Sequence, residues 1–181
     1  MIVIGLSGKA EHGKTTAAKY AEEIMKDNWN IGIVPLAKKM KDQAKMLGWD
    51  GEKDVKGRRF LQEISWPIKH YFGEDIYAKW CLDTAKDERL DVLLIDDVRM
   101  LAEVNYFKQA EKDGLIDKFI MVRINRPNHI SKLTVKQLQD VSETQLDVYA
   151  DFKYKVENNG TIEELGEKIL KIVRKEVKEI Y

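Results

Sequence analysis

The chain has 181 residues, enough for one domain with a sizeable core, and 44% of them are hydrophobic. Its 31 basic and 31 acidic residues cancel, which argues against a large non-specific nucleic-acid or membrane-surface role, since both draw on basic excess. A single cysteine, Cys81, excludes an internal disulfide, no Cys/His cluster has zinc spacing, and no apolar run approaches the ~20 residues of a membrane span.

The first element predicted is a buried strand over Ile2 to Leu6. Met1 leads straight into it, so a leader is not expected and a cytoplasmic setting is. A helix follows from about Lys14 to Lys26, then a second strand over Ile31 to Val34, closed by Pro35. Three helical stretches cover roughly 36–48, 54–71 and 75–88. Asp91 to Ile95 reads as a third strand, with Asp96 and Asp97 at its carboxyl end. A helix over about Leu101 to Lys112 stops at Gly114. Phe119 to Ile124 is a fourth strand, residues 126–150 a polar excursion, and Phe152 to Val156 a fifth strand. Thr161 caps a closing helix from Ile162 to about Lys178.

Short apolar strands separated by helices indicate parallel pairing with both faces covered. The expected fold is α/β: a three-layer sandwich on a five-stranded parallel sheet. Residues 1–181 read as one domain, with 36–88 as a helical insert and 126–150 as a lid. Ligands of such sheets collect beyond the carboxyl ends of the strands.

The phosphate loop is the clearest motif. Gly8-Lys9-Ala10-Glu11-His12-Gly13-Lys14-Thr15 satisfies G-x-x-x-x-G-K-[ST], between a strand and a helix. The glycines let successive N–H groups point into one concavity, and the helix adds its positive dipole end. Gly8, Lys9, Glu11, His12, Gly13, Lys14, Thr15 and Thr16 are therefore the expected ATP-binding run. Lys14 reaches the β- and γ-phosphates, and Thr15 ligates Mg²⁺. His12 is either a base or, on the simpler view, a loop residue lending only its N–H. At the end of the third strand Asp97 is preferred to Asp96 as the carboxylate beside the metal, although Asp at such a place also caps helices.

The loop alone does not fix the reaction, and no guanine-recognition N-K-x-D is present. A small kinase further needs an acceptor-holding insert, arginines for the phosphates, and a lid that excludes water. Arg58, Arg59 and Gln62 lie in the insert, Arg99 ends the third strand, and Arg123 and Arg126 end the fourth. Trp66, Trp80, Tyr71, Phe72 and Tyr77 are candidates to stack on a base, although aromatics at helical spacing more often build the core.

Taken in order, these residues resemble the deoxynucleoside monophosphate kinases of bacteriophages and their bacterial relatives, within the P-loop nucleoside monophosphate kinase group. The similar stretches are Gly5 to Lys9, Leu36 to Lys41, Gly57 to Gln62, Gly73 to Tyr77, Asp97-Val98-Arg99 with Glu103, Ser142-Glu143, and Glu157 to Thr161. The resemblance implies ATP and Mg²⁺ as cofactors and small nucleotides as the only partners, without nucleic acid or membrane, in a monomer or homodimer. It implies Lys41, Arg58, Arg59, Gln62, Lys69, Trp80 and Arg99 on the acceptor, Lys14, Arg99 and Arg126 in catalysis, and Asn158 and Gly160 near adenine. The chain departs from the family after Gln62, where Ser65-Trp66-Pro67 stands for a Gly-Thr pair and Lys69 or His70 for an arginine. Near Glu103, Leu101-Ala102 replaces a Pro-Asn pair, and Lys132 and Lys136 are candidates to share the lid charge with Arg126. Rival readings are a kinase for dephospho-coenzyme A or phosphomevalonate, and a nucleotide-binding ATPase module with no acceptor.

Overall fold

The computed structural model describes residues 1–52, 54–131 and 133–180; Lys132 lies outside them. The elements in chain order are β1 (Ile2–Ser7), α1 (Lys14–Met25), β2 (Ile31–Ile33), α2 (Lys38–Met46), α3 (Val55–Phe72), α4 (Ile76–Asp87), β3 (Val92–Ile95), α5 (Leu101–Lys112), β4 (Lys118–Asn125), α6 (Val135–Leu138), α7 (Val141–Thr144), β5 (Tyr154–Glu157) and α8 (Ile162–Lys178). A 3₁₀ turn over Gln145–Asp147 continues α7. The excursion at 126–150 thus carries short helical turns rather than irregular chain alone, and its caps are local: Thr134 accepts from the Gln137 amide and Asp140 from the Ser142 amide.

The five strands form one parallel sheet in the order β2-β3-β1-β4-β5. Strand β1 is central: the chain builds β2 and β3 on one side of it, then reverses to build β4 and β5 on the other. That reversal opens a crevice beyond its carboxyl end. The pleat sends alternate residues of β1 to opposite faces. Ile2, Ile4 and Leu6 join Val92, Leu94, Ile120 and Val122 against α1 and α8. Val3 joins Leu93, Ile95 and Met121 against α4 and α5. Two apolar clusters with the sheet between them make the three layers.

One buried charge ties the far end of the sheet to α8. The Glu176 side chain is fully buried, 2.6 Å from Lys118 Nζ and 2.7 Å from Lys153 Nζ. It also accepts from the Tyr154 hydroxyl. Burial opposes its ionisation, yet the hydrogen bonds from Lys118, Lys153 and Tyr154 prevail and hold its pKa down at about 2.

A depressed carboxylate contributes stability that is complete above its ordinary value of 4.5 and lost as pH falls toward about 2. Glu176→Gln is expected to cost about 3 kcal/mol at neutral pH, because two lysines lose their buried partner. Urea denaturation of the variant and of wild type across the acid range checks both points; equal slopes of stability against pH would contradict this role for Glu176.

Candidate functional site

The loop between β1 and α1 is curled by its backbone. Gly13 is left-handed at φ 92° and Glu11 at φ 65°. A Cβ on Gly8 would stand 2.3 Å from the Ile124 carbonyl oxygen, and one on Gly13 2.7 Å from Leu165. Both glycines are therefore required by contact with β4 and α8, as well as by the turn.

Lys14 opens α1 and is buried. Its ammonium donates to the carbonyl oxygens of Gly8 at 2.7 Å and Lys9 at 2.8 Å, so it lies folded back across its own loop. Burial, and then the nearby Arg99, push its pKa down to about 8 from 10.5. His12 is placed 3.1 Å from the Ile124 carbonyl through Nδ1. Burial lowers its pKa, and the contact hooks the ring to β4.

The two carboxylates after β3 part ways. Thr15 donates its hydroxyl to Asp96, whose other oxygen, Oδ1, is buried and has no hydrogen-bond partner. Asp97 instead accepts from the Leu36 amide at 2.8 Å and the Ala37 amide at 3.5 Å, tying the start of the insert to β3. The expectation of Asp97 beside Thr15 is corrected to Asp96. The physical reason is the pleat: Val92 and Leu94 face α1, so Asp96 continues that face and Asp97 takes the other.

Three arginines stand near the loop, Arg99 after β3 and Arg123 and Arg126 at the end of β4. Arg99 pairs with Glu143 of α7 and donates to the Ser142 carbonyl at 3.4 Å. Its backbone is fixed by Glu103, which accepts from the Arg99 amide at 2.8 Å and the Met100 amide at 2.9 Å. Arg123 reaches Ser7 Oγ at 3.3 Å and pairs with Asp147. Register explains the first contact, since Ser7 and Arg123 are cross-strand partners. Arg126 is exposed, with Nη1 3.5 Å from the Glu11 carbonyl. It borders a polar depression of about 180 Å³, lined also by Asn128, His129, Asn158, Asn159 and Gly160. Asn158 is buried and donates to the His12 carbonyl at 3.1 Å, which joins this depression to the phosphate loop. Thr16 is exposed on the first turn of α1, and Lys136 is exposed on α6.

The residues expected to hold an acceptor are less gathered. Arg58, Arg59 and Gln62 are exposed on α3, and Arg59 is paired along the helix with Glu63 at 2.7 Å. The structure does not bring Arg59 to the loop. Lys69, about two turns beyond Gln62, is turned inward. Its ammonium lies 5.7 Å from the Tyr77 ring centre and 3.6 Å from a Glu74 carboxylate oxygen. His70 is exposed and stacked on the exposed Trp66, so of the two candidates Lys69 is the one facing the fold. Tyr77 is buried, donates to Ser65 Oγ at 2.9 Å and tilts against Trp80. Lys39 lies 5.8 Å over the Trp80 ring. Lys41 is partly buried on α2 and lends positive charge to Asp97.

Sequence reasoning placed Glu143 in the lid by resemblance without giving it a partner, and missed Asp147 and His129. Glu143 accepts from the Ala10 amide at 2.8 Å, Asp147 lies 3.3 Å from Lys9 Nζ, and His129 sits 3.0 Å from the Glu11 carboxylate. The available signal was the four-residue spacing of Glu143 and Asp147, which puts both on one face of a helical turn.

No family model matches the chain. It is 25% identical over 199 residues to a UPF0200/UPF0201 protein of Archaeoglobus fulgidus, and 24% identical over 186 residues to a UPF0200 protein of Staphylothermus marinus. These alignments take in 99% and 97% of this chain, but only 57% of the first relative's length against 93% of the second's. Among solved structures, an APS kinase of Mycobacterium tuberculosis in complex with AMPPNP and APS superposes with a TM-score of 0.57 at 9% identity, covering 95% of this chain and 96% of that one. A shikimate kinase of Acinetobacter baumannii in complex with shikimate gives 0.54 at 17% identity, covering 96% and 93%. A sugar kinase from Janibacter gives 0.54 at 14%, covering 96% and 94%. The fold is accordingly the P-loop kinase-like α/β fold.

The lowered pKa of Lys14 has a sign that can be tested. An anion bound in the loop favours the charged ammonium, so binding takes up a proton between about 8 and the ordinary 10.5. Pyrophosphate affinity is expected to fall as pH rises through about 8. Calorimetry near neutrality and near pH ~9, in buffers of different ionisation enthalpy, measures the uptake. Pyrophosphate affinity that stays constant across that range, with no proton uptake, would contradict it.

Proposed function

We propose that the chain transfers the γ-phosphate of ATP to a deoxynucleoside 5′-monophosphate, giving the diphosphate and ADP. One observation carries the reading: Arg99, after β3, and Arg123 and Arg126, at the end of β4, stand on either side of the phosphate loop that follows the central strand. The P-loop kinase-like fold supports nucleotide-dependent phosphoryl transfer. The acceptor class rests on the resemblance of the insert and of the β3 end to the deoxynucleotide kinases.

In this reading Gly8 to Thr16 hold the triphosphate through backbone amides and the α1 dipole. Lys14 leaves the Gly8 and Lys9 carbonyls and turns to the phosphates. Adenine lies by Arg126, Asn158 and Gly160. Thr15 and Asp96 would hold Mg²⁺, and the fit is good, because Asp96 Oδ1 is a buried oxygen without a partner. When bound, the ion neutralises charge on the phosphates. Arg99 steers the acceptor phosphate, and Lys69, Tyr77 and Trp80 border its nucleoside; Lys41, Arg58, Arg59 and Gln62 engage only if the insert swings inward. An acceptor phosphate oxygen attacks the γ-phosphorus while its bond to the ADP oxygen breaks, and no base is needed because the acceptor is already an anion.

Residues 1–181 act as one kinase domain, with 36–88 as the acceptor insert and 126–150 as the lid. No helix among the described residues is long and apolar enough to cross a membrane, and we place the enzyme in the cytoplasm, as a monomer or homodimer. A second reading, with dephospho-coenzyme A or phosphomevalonate as acceptor, is favoured by one point: the structural neighbours' names carry APS, shikimate and sugar rather than a nucleoside monophosphate.

The purified chain with Mg-ATP and a panel of monophosphates, dephospho-coenzyme A and phosphomevalonate is expected to form ADP with a deoxynucleotide. Lys14→Ala should lower turnover by about 100-fold or more. Arg99→Ala should chiefly raise the acceptor KM, by about tenfold. ADP formation confined to a different acceptor would select the second reading, and none with any acceptor would end both.

A further inference from the structure

Two carboxylates of the lid occupy the phosphate end of the cleft. Glu143 and Asp147 stand one helical turn apart on α7 and its 3₁₀ extension. The Glu143 side chain is 7% exposed. One of its oxygens accepts the Ala10 amide of the phosphate loop at 2.8 Å; the other pairs with Arg99. Asp147 repeats the pattern, with Lys9 of the loop 3.3 Å from one oxygen and Arg123 paired to the other. Each carboxylate therefore bridges a group of the loop and an arginine at the end of a flanking strand. A planar, two-oxygen anion held by a backbone N–H and a guanidinium satisfies the same donors that a phosphoryl group does. The segment is seated by more than charge. Leu146, between the two, is buried in the apolar cluster of α4 and α5, and Gln145 accepts from the Leu101 amide at 2.7 Å.

A polyphosphate cannot share these donors with a buried carboxylate. Its negative charge would lie beside that of Glu143 in a site shielded from water, where repulsion is weakly screened. We propose that Glu143 and Asp147 form a tethered competitor: they neutralise the loop, Arg99 and Arg123 in the free protein, and an incoming polyphosphate must displace residues 140–147. The proposal rests on the reading of residues 8–15 as the phosphate site. It adds that the lid is seated in that site before the ligand arrives, so that apparent affinity is reduced by the fraction of molecules in the seated state.

Inorganic pyrophosphate tests this on the full chain, because its binding needs neither an acceptor nor transfer. Glu143→Gln keeps the size of the side chain and removes its charge. It is expected to bind pyrophosphate about tenfold tighter than wild type, the gain for a lid seated in about nine-tenths of molecules. Asp147→Asn should shift affinity the same way by less, since Asp147 is the more exposed. Unchanged or weaker binding in a Glu143→Gln variant of native melting temperature overturns the proposal. Hydrogen exchange of the wild-type protein gives a second measurement should that variant unfold. Pyrophosphate should slow exchange in residues 8–15 and speed it in 140–147; slower exchange in both would mean that the lid closes over the anion, and the proposal would be wrong. Absence of pyrophosphate binding in wild type and in both variants would also sink it. A failed acceptor panel beside tighter binding by Glu143→Gln would reject the kinase reading and leave this one standing.

Discussion

The cleft is organised around an ammonium that the fold has removed from water. Lys14 is buried at the first turn of α1, and among the described residues two carbonyl oxygens of its own loop accept from it. Such a group is costly to keep charged, and its lowered pKa expresses that cost. The environment is divided: burial and Arg99 oppose the charge, while the loop carbonyls, Glu143, Asp96 and Asp97 favour it. A multivalent anion placed in the curl would tilt that balance. The remainder of the site consists of what brings this lysine, the loop amides and the arginines to one end of the sheet.

The topology does this with little help from local propensity. Strand β1 is buried along its whole length, and the chain leaves it at the point where β3 and β4 diverge. Register then places Ser7 beside Arg123 and Gly5 beside Ile95, so the next residue along β3, Asp96, meets the loop. Gly8 and Gly13 allow the backbone to pass within contact of Ile124 and Leu165. The loop is thus braced by β4 on one side and α8 on the other, with Asn158 tying the β5 end to His12. Preorganisation of this kind lets backbone amides act on charge without reorganising when a ligand binds.

Much of this was legible in the sequence, and the reason is periodicity. Continuous apolar runs at residues 2–6 and 92–95, between helical stretches, dictated a parallel sheet covered on both faces, and each predicted strand lies within a residue or two of its place. The phosphate loop was legible because its glycines have a geometric purpose. Which of Asp96 and Asp97 meets Thr15 was not. A strand that is apolar on both faces carries no mark of which parity faces α1; only the partition of Val92 and Leu94 from Leu93 and Ile95 supplies it. The lid was legible as a polar stretch but not as an occupant of the cleft. Glu143 and Asp147 are separated from their partners by more than 20 residues at the least, and no local pattern encodes such ion pairs.

The acceptor side shows a different limit, set by helical phase. On α3 the positions that pack toward the core are Leu61, Ile64 and Ile68, and Lys69 lies beside this stripe with its ammonium over Tyr77. Gln62, Trp66 and His70 follow each other at four-residue spacing on the exposed side, and Trp66 stacks on His70 there. Arg59 belongs to that outer face as well, held by Glu63. The basic residues of the insert therefore do not share one surface, and no rigid placement of α3 can turn both Arg59 and Lys69 toward the same anion. If one acceptor phosphate is to meet both, α3 must rotate or unwind near Pro67, where the missing N–H already interrupts its hydrogen bonding. If α3 stays as it stands, recognition falls to Lys69, Tyr77, Trp80 and Arg99, a smaller set in which Arg99 is the only guanidinium and is held by the lid through Glu143. The proposed seating of the lid and the proposed capture of an acceptor then depend on the same side chain.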